Sequence, residues 1–194
     1  MRRSAVVFFS ILLATGCLAG RAQVVPSATA GQFSVTAGAL GSIFQPDYAG
    51  ERVAETSPNR LWGVGAYVDV KFTRWVQVED EGRWLHFNPY FDIPEDNYLI
   101  GPRVPIHQFH LLRATPYAKV LFGYGKMNVD GGWDRTTDIA YGGGVDLRVS
   151  RSISIRAFDF EYQQWPSWRD PTLTSTNSTL KPYGASVGIG YRIF

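Results

Sequence analysis

Histidine is the side chain most often used as a general base, and this sequence holds three: His86, His107 and His110. A nucleophile reading would pair one of them with Ser167 or Ser175 and an orienting acid, the set that acyl transfer or hydrolysis needs. Their spacing matches no diagnostic arrangement. We therefore expect hydrogen-bonding histidines, no catalytic residue and no enzyme activity. His107-Gln-Phe-His110 has a spacing that aligns two metal ligands on a helix, but on a strand it points them to opposite faces. The acids of Asp92-Ile-Pro-Glu-Asp96 could touch a cation, yet they read as a solvated loop. Gly142-Gly143-Gly144 lacks the following helix and Lys-Ser/Thr of a phosphate loop. Glycines there relieve crowding or bend a strand. No metal and no cofactor is expected.

The elements carrying these residues follow a period of two. From Tyr183 to Ile193 one face holds Tyr183, Ala185, Val187, Ile189, Tyr191 and Ile193; the other holds Gly184, Ser186, Gly188, Gly190 and Arg192. Successive strand side chains point to opposite faces, so one face is apolar and the other small or polar. The same alternation runs through 61–73 (Trp62, Val64, Ala66, Val68, Val70, Phe72), 116–126 (Ala118, Val120, Phe122, Tyr124) and 139–149 (Ile139, Tyr141, Val145, Leu147, Val149). Less regular candidates at 33–43, 76–86, 98–109 and 153–162 bring the expected total to eight strands. The spacers alternate in length. Those near 44–60, 87–97, 127–136 and 163–181 read as long loops, and those near 73–75, 110–115 and 150–152 as short turns.

The N-terminus reads as an export signal. Arg2 and Arg3 precede an apolar run from Ala5 to Ala14, and small residues lead to Gly20-Arg21-Ala22. The run is shorter than the roughly 20 residues of a membrane-spanning helix. Cleavage after Ala22 is the preferred reading, leaving residues 23–194 as one domain without cysteine. Lipidation at Cys17, after Ala14-Thr15-Gly16, is the alternative. A net charge of +2 on 194 residues offers no field for nucleic acid, and no such binding is expected.

Strands of about ten residues match a tilted crossing of the hydrocarbon layer. Unpaired backbone groups in lipid are so costly that a sheet there must close. The fold expected is thus an all-β, closed antiparallel up-and-down transmembrane barrel with long loops at one rim and short turns beside both termini at the other. Its polar faces collect Asp69, Lys71, Glu79, Glu81, Arg83, Arg103, Lys119, Asp146, Arg148, Asp159, Glu161 and Arg192. A narrow barrel is filled by its side chains, so these charges are expected to pair inside it. Trp62, Trp75, Trp84, Tyr98, Tyr124, Tyr141, Tyr162, Tyr183 and Tyr191 fall at strand ends or on outward faces, where amphipathic rings favour the interface. Two features resist the alternation. Asp80 shares the outward face of Val76, Val78 and Trp84, unless a bulge re-aims it. In 152–162, Arg156 shares a face with Phe158, Phe160 and Tyr162; we place Asp159 and Glu161 inside and Arg156 near the rim of the short turns.

With its last strand Gly184 to Phe194, its Gly142-Gly-Gly-Val-Asp-Leu-Arg148 and its Phe160-Glu-Tyr-Gln163, the chain resembles the OmpA/OmpX-like outer-membrane β-barrel families. The latter two segments look like the sixth and seventh barrel strands. The resemblance implies an outer-membrane location reached through the periplasm. It also implies an assembly signal at Tyr191 and Phe194 read by the barrel assembly machinery, and interior acid–base clusters with Glu161, Lys119 and Arg103 as members. The resemblance is to the small single-domain members, in which no peptidoglycan-binding domain is expected to follow the barrel.

The function expected is non-enzymatic: a monomer contributing to envelope integrity or surface interaction through four long extracellular loops. It would be embedded among outer-membrane lipid and lipopolysaccharide. Trp165, Trp168 and Arg169, on the last long loop, are the candidates for touching a surface ligand. Three alternatives stay open: a lipid A-modifying barrel enzyme, a small ion pore, and a soluble periplasmic ligand-binding barrel.

Overall fold

The computed structural model describes residues 33–47, 60–87, 94–106, 113–129, 132–169 and 177–194. The export segment with Cys17 and Ala22 lies outside the described residues, as do His107, His110 and Ser175. The strands are β1 Ser34–Gln45, β2 Leu61–Lys71, β3 Gln77–Phe87, β4 Glu95–Pro105, β5 Ala114–Val129, β6 Gly132–Arg148, β7 Ile153–Arg169, β8 Asn177–Leu180 and β9 Tyr183–Arg192. Strands β1 to β7 pair antiparallel in chain order, β7 pairs with β9, and β9 returns to β1, closing the sheet. β8 extends β9 across a break at Lys181-Pro182, where the Gln163 N–H donates to the Pro182 carbonyl at 2.8 Å. The barrel is therefore eight-stranded.

Alternation places the apolar side chains outward. Val64, Val68, Ile100, Val104, Phe122, Leu147, Ile155, Phe158, Val187 and Ile189 are exposed on the outer wall. Leu40, Leu85, Leu99 and Leu121 turn inward and are buried. At one rim the ring of Trp84 donates its Nε1–H to the Tyr98 hydroxyl at 3.0 Å, and Tyr98 stacks on Tyr124 with centroids 5.2 Å apart. Two turns at the other rim use one device. In Thr73-Arg74-Trp75-Val76 the Thr73 hydroxyl accepts from the N–H groups of Trp75 and Val76 at 3.2 and 3.0 Å. In Ser150-Arg151-Ser152-Ile153 the Ser150 hydroxyl accepts from Ser152 and Ile153 at 3.2 and 3.0 Å. A short hydroxyl side chain thus satisfies two amides that the ladder leaves behind.

Several expectations are corrected. The loop expected at 127–136 is strand: β5 and β6 run on to the pair Val129↔Gly132, leaving only residues 130–131 between them. Asp130-Gly131 is the dipeptide favoured in two-residue hairpins, and it marks this connection in the sequence. The loop expected at 163–181 is also shorter, since β7 continues to Arg169 and pairs with β8. At 87–97 the strand resumes at Glu95, and Glu95, Asp96 and Asn97 are buried rather than part of a solvated loop.

Arg156 is the largest correction, because it is fully buried inside the barrel. Along β7, Asp146↔Arg156 is followed by Val145↔Phe158, and Arg156↔Gly188 by Asp159↔Ser186. One extra residue is accommodated between them. This β-bulge at Ala157–Phe158 switches the parity of the strand, so that Arg156, Asp159 and Glu161 all face inward while Ile155, Phe158 and Phe160 face out. Asp80 is not re-aimed. The irregularity in the β2–β3 pair falls between Trp62 and Val64, and Asp80 stays on the outer wall between Val68 and Ile100.

The bulge makes a test possible. Deleting Ala157 restores strict alternation without turning any charge, so the variant should keep a compact unheated gel band that shifts on boiling. Deleting Phe160 makes Asp159 and Glu161 neighbours and forces one acid out of its ion pairs, at about 3–5 kcal/mol. That variant should lose the compact band. The reverse pattern would refute the assigned parity.

Candidate functional site

The interior is built from every second residue of the strands. β3 contributes Glu79, Glu81 and Arg83, β7 contributes Arg156, Asp159 and Glu161, β5 contributes Lys119, and β2, β4 and β6 contribute Asp69, Arg103 and Asp146. The Lys119 ammonium lies 2.7 Å from Glu79, 3.1 Å from Glu81, 2.7 Å from Asp159 and 2.5 Å from Glu161. Above it, Arg83 grips Glu161 with both Nη groups and reaches Glu81 at 2.9 Å. Below it, Arg156 binds Glu79 at 2.7 Å, Asp69 at 3.2 Å and Asp159 at 3.4 Å. Arg103 joins Asp69 at 3.2 Å, Asp146, and the Gln77 side-chain carbonyl at 2.6 Å.

Rings cover the guanidinium faces that the carboxylates leave open. Arg103 lies 3.7 Å from the Tyr117 centroid and Arg156 3.9 Å from that of Tyr67. Desolvated cation–π contacts of this kind contribute about 2 kcal/mol each. Space for the centre comes from Gly142: a Cβ there would sit 2.8 Å from Glu161 Cγ and 3.3 Å from Lys119 Cε. Towards the long-loop rim the polar column continues with Asn97, which donates to the Gln163 side-chain carbonyl at 3.1 Å. Trp165 closes this column. It was expected to stand exposed on a loop, but it is fully buried, with its ring packed over Gly125 and its Nε1–H directed to Gln163. Trp168 and Arg169 lie on the β7 extension, paired with Ser178 and Asn177, not on a loop.

Eight of the residues named from sequence (Asp69, Glu79, Glu81, Arg83, Arg103, Lys119, Asp159 and Glu161) are buried in this network, and Asp146 is half-buried at its edge. Lys71, Arg148 and Arg192 stand apart from it, at the mouth on the short-turn side. Tyr191 and Phe194 point outward at the same rim and are exposed. Sequence reasoning missed Arg156, Glu95, Asn97, Gln163, Asp138 and the two tyrosines as interior groups. Tyr67 and Tyr117 were on the polar face by parity; Arg156 was not, because nothing local marks the bulge.

The carboxylates of Glu79, Glu81, Asp159 and Glu161 all lie within 4.8 Å of one another, a donor set that could hold a metal ion. Here the Lys119 ammonium is their shared cation. At the opposite rim His86 meets Asp96 at 2.7 Å, and Asp96 also meets Lys126 at 3.0 Å. Among the described residues no serine or threonine hydroxyl is hydrogen-bonded to His86.

Replacing Lys119 with methionine leaves four buried acids without their common partner. Urea unfolding of the refolded protein should report a loss of about 3–5 kcal/mol. Adding Glu161→Gln to Lys119→Met should recover part of it, because one uncompensated charge is gone. Unchanged stability in Lys119→Met would contradict the central role of this ammonium.

The fold is shared with solved outer-membrane proteins. The N-terminal β-barrel domain of Pseudomonas aeruginosa OprF aligns with a TM-score of 0.54 at 13% identity, over 84% of this chain and 98% of that one. Neisserial surface protein A aligns with a TM-score of 0.54 at 10% identity, over 82% and 96%. The outer membrane protein AlkL aligns with a TM-score of 0.50 at 14% identity, over 89% and 96%. No curated protein sequence matches the chain. The family model for the outer membrane protein beta-barrel domain matches residues 10–192. With a closed eight-stranded antiparallel sheet, an apolar outer wall and charge confined within, this chain belongs to the outer membrane protein beta-barrel domain family and resides in the outer membrane.

Proposed function

We propose that this barrel is a non-enzymatic and non-conducting component of the outer membrane, serving envelope integrity or surface interaction through its extracellular end. The observation that carries this reading is the filled lumen. From Arg103 to Trp165 the interior is occupied by ion-paired and hydrogen-bonded side chains. An ion crossing it would have to break buried pairs, each costing several kcal/mol to separate. The extensions of β5, β6 and β7 beyond the span of the shorter strands offer backbone and side chains to the exterior.

In this reading the barrel acts as a monomer among outer-membrane lipid and lipopolysaccharide. It needs no cofactor and binds no nucleic acid. Tyr191 and Phe194 present the outward aromatic pair that the barrel assembly machinery would read.

Planar-bilayer recordings of the refolded protein should show no discrete conductance steps, and reproducible steps would overturn the plugged reading. In cells lacking the protein, detergent resistance or surface adherence should be lost and should be restored by the wild-type chain. A chain trimmed in the β5–β6 hairpin beyond Tyr124 and Thr137 should restore neither if the extracellular end does the work.

A further inference from the structure

The geometry points to a binding site for a phosphate group, of the kind carried by anionic phospholipid headgroups, at the mouth of the barrel beside the short turns. In this family that rim faces the periplasm. A cavity of about 140 Å³ opens there, several water volumes at about 30 Å³ each. Lys71, Arg148 and Arg192 line it, on β2, β6 and β9. The strands between them supply hydroxyls: Ser34 and Thr36 of β1 pair with Lys71 and Arg192, and Ser154 of β7 pairs with Arg148. Cation and hydroxyl thus alternate around one arc of the wall.

Gly190 of β9 lets the hydroxyl-bearing side chains beside the cavity pack closely. A Cβ at this inward position would sit 2.5 Å from the Tyr67 hydroxyl, 3.0 Å from Ser154 Oγ and 3.0 Å from Thr36 Cγ2. Its missing side chain gives those three groups the room they occupy. The acids in the lining, Asp69 and Asp146, are held by Arg103 and Arg156. Among the described residues none of Lys71, Arg148 and Arg192 forms a salt bridge. Three like charges around one small cavity repel one another unless they share an anion. The flanking turn residues 72–76 and 149–152 add Arg74 and Arg151 and no acid. Outward-facing Trp75 and Tyr191 set this rim at interfacial depth, where phosphate headgroups lie.

The first probe is inorganic phosphate, added at constant ionic strength to protein refolded in zwitterionic detergent while the amide NMR shifts of Thr36, Ser154 and Gly190 are followed. Saturable shifts are expected. The double variant Arg148→Gln/Arg192→Gln should bind about thirtyfold more weakly, and Lys71→Gln about fivefold more weakly. Both should keep the heat-shifted gel band, because neither touches the Lys119 network. A second arm reconstitutes the protein in mixed phosphatidylglycerol and phosphatidylcholine and measures the lipid that stays bound after detergent exchange. Enrichment of phosphatidylglycerol in the wild type and not in the double variant assigns a lipid headgroup. Phosphate binding without enrichment assigns a soluble phosphate ester. Shifts reproduced by chloride alone, or no saturable shift together with no enrichment, would overturn the site. So would folded variants that bind like the wild type; if the double variant does not fold, Lys71→Gln decides by the same criterion.

Discussion

A peptide group in hydrocarbon has no water to turn to, and that constraint shapes the rest of this molecule. It forces the sheet to close, and closure at eight strands leaves a lumen that side chains can fill. The apolar face must meet lipid, so the polar face is committed to that lumen. Charges placed there lose most of their hydration and have to find each other. The Lys119 cluster, the Arg83–Glu161 fork and the Arg103–Asp69–Arg156 chain are what such a confined set of charges settles into.

Paired charge also accounts for a break in regularity. β7 carries Arg156 one position out of step with Asp159 and Glu161. A regular strand would either send the arginine into lipid or take both acids away from Lys119. An arginine at mid-membrane depth costs about 2–4 kcal/mol, and an orphaned buried acid costs more. A one-residue bulge avoids both. Its cost is local, because the residues at the bulge, Ala157 and Phe158, stay on the outer wall.

The two ends of the barrel differ for related reasons. At one end β5 to β7 run on past the span of their neighbours and Trp165 shuts the lumen, so what faces outward is strand and loop rather than an opening. At the other, tight turns held by Thr73 and Ser150 leave the mouth open, and Lys71, Arg148 and Arg192 gather there. Charge is thus neutralised where water is excluded and left in excess where solvent and headgroups can reach it.

Much of this was legible without a structure. A period of two with an apolar outer face and charges on the minor face determined the closed membrane barrel. They also determined eight buried members of its ion network, because parity is a local property of a strand. Three things were decided only in three dimensions. The facing of Arg156 depended on a bulge that a partner strand's register creates. The burial of Trp165 depended on room above Gly125, two strands away around the sheet. The separation of Lys71, Arg148 and Arg192 from the acids depended on strand stagger, which places residues of equal polarity at different depths. Sequence pattern specifies which side of a sheet a residue occupies; its height in the barrel and its partner across the lumen belong to closure, which no single strand encodes.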